Sequence, residues 1–226
     1  AGRGRAHRRR ADDALTMEAF VRFTAPAVPL LQANVDTDQI IPTRFLTRPP
    51  EQGLADGLFA EWRVRADGSP NPDFVLDQPQ WQGAQVLVAG ANFGCGSSRE
   101  AAPRVLRQCG FRALIAPSFG DIFFNNCFRN GIVPVRLPDA AVAQIAATLQ
   151  AAPGTVLTVD LGAQTVCLPA TGQTFAFDTP PLLRRMLLQG LDEIALTLTM
   201  AEAIADFRVV DRPHRPWAYL QQEDSR

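Results

Sequence analysis

The chain has no C-x-x-C pair, and its four cysteines, Cys95, Cys109, Cys127 and Cys167, are widely spaced. It has only two histidines, His7 and His214, near opposite ends. A zinc or iron–sulfur site made by this chain alone is therefore not expected. Nothing in the sequence suggests secretion, so the thiols are expected to be free in a reducing cytoplasm. No apolar run is long enough for a transmembrane helix. The net charge of −1 gives no global reason to expect nucleic acid or a membrane surface as partner. The G-x-x-x-x-G-K-[ST] phosphate-loop signature is missing, and no internal repeat occurs. What remains is 226 residues with 46% hydrophobic content, enough for one large domain with extensions.

The most informative stretch is Gly90-Ala91-Asn92-Phe93-Gly94-Cys95-Gly96-Ser97-Ser98-Arg99-Glu100. It follows an apolar strand-like run, residues 85–89, and precedes a helical pattern over 101–109. A strand running through a small-residue turn into a helix aims backbone N–H groups and the positive helix end at one point, where anions bind. Gly94 and Gly96 permit positive φ and close approach of a ligand. Ser97, Ser98 and Arg99 add two hydroxyls and a guanidinium, whose planar fork suits a carboxylate. The stretch reads as a carboxylate site with a hydroxyl beside it. Two other readings stay open: a capping box, in which Ser97 and Glu100 only satisfy helix N–H groups, and a phosphate loop. Pro103 bears on the capping reading. With Ser97 as N-cap it would fall past the first turn, whereas a helix starting near Ala102 would leave residues 97–100 as loop.

Along the rest of the chain, residues 1–16 carry five arginines and no core-forming pattern. They are expected to be a disordered basic extension, with Met17 as the true start; a nucleic-acid arm or a transit peptide are the alternatives. Residues 18–31 read as extended structure broken at Pro26 and Pro29. The segment Asn34-Val35-Asp36-Thr37-Asp38-Gln39-Ile40-Ile41-Pro42 has an acidic, turn-forming front. Asp36 or Asp38 either caps a turn or serves a site, and Arg44 either pairs with them or binds substrate. Residues 48–73 form a long excursion, partly helical around 54–62, of the kind used for lids or partner surfaces. Residues 74–76 read as a short extended piece. Strand–helix–strand–helix–strand from 85 to 137 predicts βαβ units and a parallel sheet. Asp139 is expected to cap a helix over 140–152, followed by an antiparallel meander over 155–178. Helices are expected over 180–189 and 200–207, with 191–198 either helix or strand. The expected organisation is an extension (1–16), one α/β domain (17–207) and a polar tail (208–226).

Residues 34–42, 71–76 and 92–100, with Ile115-Ala116-Pro117-Ser118-Phe119, Asp121-Ile122-Phe123 and Gly190-Leu191-Asp192, resemble the small-subunit family of bacterial 3-isopropylmalate dehydratase (isopropylmalate isomerase), in the aconitase superfamily. The resemblance covers about residues 17–207, in order. It implies a swivelling β/β/α domain like the mobile fourth domain of aconitase. It also implies a heteromer with a large subunit that holds a [4Fe–4S] cluster. The implied reaction is interconversion of 2- and 3-isopropylmalate in leucine biosynthesis, by dehydration and rehydration. Ser97 matches the family's base, Arg99 its substrate-carboxylate anchor, Asp38 the Asp of its T-D motif, and Ser98 a hydrogen-bonding neighbour. Arg44 is a candidate second anchor.

Where the family usually continues His-Ala-Pro-Trp-Ala-Leu, this chain has Ala101-Ala102-Pro103-Arg104-Val105-Leu106. The presumed base and anchor are retained. The substitutions keep open a small subunit for another 2-hydroxy diacid, such as a methylmalate or a citrate homologue, or a carboxylate-binding module without catalysis.

Overall fold

The computed structural model describes residues 17–47 and 53–219. The expected basic extension at 1–16 lies outside them, as do the end of the tail and the start of the excursion. The described chain divides into a large unit, Met17–Gly190, and a helical unit within Leu191–Arg226.

The large unit is built on one seven-stranded sheet in the order β4-β3-β2-β1-β5-β6-β7. Strands β1 (Arg22–Leu30), β2 (Val86–Ala89), β3 (Ala113–Ala116) and β4 (Val133–Arg136) are parallel neighbours. Strands β5 (Val156–Asp160), β6 (Thr165–Leu168) and β7 (Gln173–Ala176) continue the sheet as the expected antiparallel meander. Every residue of β2 and β3 is buried, as a parallel sheet covered on both faces requires. The helices are α1 (Thr37–Ile40), α2 (Ala101–Gln108), α3 (Asp121–Arg129), α4 (Asp139–Ala151) and α5 (Pro181–Gln189). Helix α4 packs across β1, β2 and β3, while α2 and α3 pack on each other and α3 reaches β4.

β1 is the strand shared by the two halves. Its residues 22–26 pair with β5 and its residues 27–30 with β2. Pro26 and Pro29 were expected to break this run, yet both lie within it. Ala27 donates to Thr155 on the β5 side, and the Pro26 carbonyl accepts from Gln85 on the β2 side. By strand alternation, Pro26 turns its nitrogen to the β2 side before β2 has begun. Pro29 turns its nitrogen to the β5 side, beyond the paired stretch. Neither ring displaces a ladder hydrogen bond.

Other expectations need correction. Residues 75–77 form a 3₁₀ turn, not an extended piece. There Phe74 packs with Phe59 and Trp62 in an aromatic cluster that ties the excursion to the core. Helix α4 begins at Asp139 itself, with Pro138 as its cap residue and no side-chain cap bond. In the second unit, residues 191–198 are resolved in favour of helix, as α6 (Glu193–Leu198), capped by Asp192. The expected domain boundary after Phe207 falls inside α7 (Ala201–Asp211), and the compact large unit already ends at Gly190. Gly190 adopts the left-handed C-cap of α5, which a side chain would disfavour. None of the described helices is long and apolar enough to cross a membrane.

Candidate active site

Ligand sites in open α/β sheets form beyond the carboxyl ends of parallel strands. Here three chain segments leave β1, β2 and β3 at that end and knit together. The Val35 carbonyl accepts from Gly94 N–H at 2.7 Å, and Asp36 and Cys95 form a parallel bridge. On the other side, Phe93 bridges Phe119, with Phe93 N–H to Ser118 O at 3.1 Å and Gly120 N–H to Phe93 O at 3.0 Å. The turn 92–96 is thus held between the segments that follow β1 and β3. Asn34 and Asn92 both adopt left-handed backbone, which Asn tolerates, and the Asn92 amide donates to Asn34 Oδ1 at 2.9 Å.

Gly94 and Gly96 serve different needs. At Gly94, φ is +72° and a Cβ would stand 2.2 Å from the Phe123 ring. At Gly96, φ is +85°, but a Cβ would reach nothing nearer than 3.4 Å. Gly94 is required by packing and conformation together, and Gly96 by conformation alone.

The helix-cap reading of Ser97 does not hold. The N-cap of α2 is Glu100, which makes no side-chain cap bond. Pro103 then occupies the third helical position, where the missing N–H is one that a helix leaves unpaired in any case. Residues 97–99 are consequently loop, and the Ser97 and Ser98 side chains are exposed.

Asp36 and Asp38 divide the two roles left open for them. Asp36 is the N-cap of α1, and its carboxylate accepts from Gln39 N–H in a reciprocal capping box. Asp38 stands in the first turn and pairs with Arg99, Oδ1 to Nη2 at 2.6 Å. The Arg99 side chain is only 15% exposed and also donates to the Ile41 carbonyl at 3.3 Å, whereas Asp38 is 53% exposed and accepts from Thr43 Oγ1 at 3.2 Å. The guanidinium is therefore fixed in direction while its carboxylate partner faces outward. The structure brings Asp38 and Arg99 together across sixty residues of sequence and places Ser97 and Ser98 on the same loop. Arg44 is engaged elsewhere, hydrogen-bonded to Glu61 and lying over the Phe45 ring.

The chain as a whole is similar to known proteins. Residues 17–140, more than half of the chain, match the aconitase C-terminal domain family. A curated relative, the 3-isopropylmalate dehydratase small subunit of Cupriavidus necator, is 52% identical over 207 residues, covering 90% of this chain and 99% of its own. The chain belongs to the 3-isopropylmalate dehydratase small-subunit family. A solved structure, 3-isopropylmalate dehydratase from Methanocaldococcus jannaschii, matches with a TM-score of 0.59 and 28% identity, over 83% of this chain and 99% of that one. The β/β/α fold implied by the resemblance is the fold of this family member.

Among the described residues, no three His, Cys, Asp or Glu side chains gather closely enough to hold a metal ion. All four thiols are unpaired, and burial pushes the Cys127 thiol well up. The described residues thus offer no ligand set for an iron–sulfur cluster.

The structure also adds residues to which no role was given from sequence. Thr37 donates its hydroxyl to the Ser97 carbonyl at 2.8 Å, and Ser118 Oγ accepts from Asn92 N–H at 2.8 Å. No local pattern could reveal either, since both bonds join segments that meet only through the sheet.

Proposed function

We propose that this chain is the small subunit of a heteromeric hydro-lyase that interconverts 2-isopropylmalate and 3-isopropylmalate in leucine biosynthesis. The observation that carries the reading is that Ser97 has no capping duty and stands on the same loop as Arg99, which is paired with Asp38. Dehydration removes a proton from one carbon and hydroxide from its neighbour; rehydration returns both in the opposite sense. Ser97, as its alkoxide, takes the C–H proton to become the neutral hydroxyl, and gives that proton back on rehydration. Arg99 binds one substrate carboxylate through its planar fork, and Asp38 keeps that fork aimed while no substrate is present. Ser98 offers a further hydroxyl to the same ligand. Arg44, bound to Glu61, would have to leave that partner to act as a second anchor.

The site is open on its outer side, and a large subunit would close it. A [4Fe–4S] cluster on that subunit would supply Lewis acidity toward the leaving hydroxyl. The four free thiols suit work in a reducing cytoplasm. Arg104, exposed on α2, adds a positive charge one turn beyond the loop and favours a dianionic substrate.

The test is anaerobic reconstitution with a cluster-loaded large subunit, following alkene absorbance from 3-isopropylmalate. Turnover should need both chains, and Ser97→Ala should lower kcat by about 10²–10⁴-fold with the complex intact. A complex that turns over smaller 2-hydroxy diacids but not isopropylmalate would replace the substrate. Undiminished turnover by Ser97→Ala would remove the base assignment.

A further inference from the structure

Thr37 is 2% exposed and stands at the first position of α1, between the capping Asp36 and the outward Asp38. It makes two bonds to the loop that carries Ser97. Its N–H donates to the Cys95 carbonyl at 3.0 Å, and its hydroxyl donates to the Ser97 carbonyl at 2.8 Å. No other side chain among the described residues bonds the backbone of residues 95–98.

Two carbonyls, two residues apart, are thereby drawn to one point. In a trans peptide the N–H points opposite to its carbonyl, and the described chain has no cis bonds. The N–H groups of Gly96 and Ser98 share peptide planes with those carbonyls. They are consequently turned away from Thr37, and neither finds an acceptor among the described residues. The left-handed Gly96 allows the chain to reverse between the two planes. A single buried hydroxyl thus sets the orientation of the peptide that follows Ser97, and with it the backbone from which the Ser97 side chain leaves.

We infer that Thr37 is the positioning residue for Ser97: it touches no substrate, and it acts by holding the Cys95–Gly96 peptide plane and the Ser97–Ser98 plane that directly follows that serine. This rests on the reading of Ser97 as the base. Arg99 is held separately, by Asp38 and by the Ile41 carbonyl, so loss of the Thr37 hydroxyl leaves the carboxylate anchor in place. The effect falls on the chemical step and not on substrate affinity.

Thr37→Val keeps shape and removes the donor; Thr37→Ala removes it without a misplaced methyl; Thr37→Ser retains it. In the reconstituted complex, Val and Ala should lower kcat by about 10–100-fold, the scale expected for an ångström-level misplacement, with KM changed by less than about threefold. Ser should stay near wild type. Hydrogen exchange in the same complex provides a readout independent of turnover: the amides of Thr37, Gly94 and Cys95, which donate across this junction, should exchange faster in Val and Ala, and not in Ser. Unchanged kcat and exchange in Val and Ala would overturn the inference, as would a Ser variant as impaired as Val. Ser97→Ala, measured in parallel, separates the two claims. If it retains turnover the base reading fails, while the exchange data still decide whether Thr37 holds the loop.

Discussion

Gly94→Ala and Gly96→Ala make a pair whose difference can be worked out beforehand. Both glycines have positive φ, +72° and +85°, so each substitution carries the left-handed backbone penalty of about 1–2 kcal/mol. Only at Gly94 does the new methyl meet atoms, with the Phe123 ring carbons at 2.2, 2.4 and 2.7 Å. Phe123 is buried between Phe93 and Phe119 and cannot swing into solvent without leaving its own contacts. Overpacking of that kind costs about 1–3 kcal/mol more. Gly94→Ala should therefore lose about 2–5 kcal/mol and Gly96→Ala about 1–2 kcal/mol. Urea unfolding read by far-UV circular dichroism measures both, and with a slope of about 2–3 kcal/mol/M the Gly94 midpoint should fall by roughly 1–2 M. A Phe123→Ala background should bring the Gly94 loss close to the Gly96 value, because the clash has gone while the φ term remains. Equal losses at the two glycines in the wild-type background would refute the assignment of Gly94 to packing.

Ser97→Ala and the Thr37 series test the chemistry as described above. The hydrogen bond from Arg112 holds the Glu18 carboxyl below its usual value, with Arg107 adding to the effect. A folded-state value below the unfolded one contributes stability above about pH 4.5 that is lost as pH falls through the folded value. Glu18 is largely exposed, so Glu18→Gln should cost less than about 1 kcal/mol near neutrality, and the difference from wild type should vanish in acid urea titrations. A difference that grows on acidification would contradict the sign. Cys127 is buried and its thiol is raised by desolvation, so a thiol reagent on the native protein should label Cys95 and Cys167 first and reach Cys127 only on unfolding. Mass spectrometry of timed samples shows the order.

The alternation of strand and helix from 85 to 137 was legible because buried parallel strands and their crossover helices have different periods. The linked motifs at 34–42 and 92–100 were legible as a resemblance. The glycines announced a special turn, since few other residues adopt its backbone. Sequence could not say whether Ser97 was a cap, because the S-x-x-E spacing suits a capping box and a loop equally. That choice fell to Pro103 and the packing of α2, which start the helix at Ala101. The prolines of β1 misled for a related reason: whether a missing N–H matters depends on which neighbour strand lies opposite it, a property of the sheet and not of the strand. Which of Asp36 and Asp38 caps and which pairs with Arg99 also depended on tertiary contact. Composition and spacing determined that this chain would build a mixed sheet around a small-residue turn. Only the meeting of β1 and β2 brought Thr37 and Asp38 to that turn, because hydrogen bonds across sixty residues exist only once the sheet has formed.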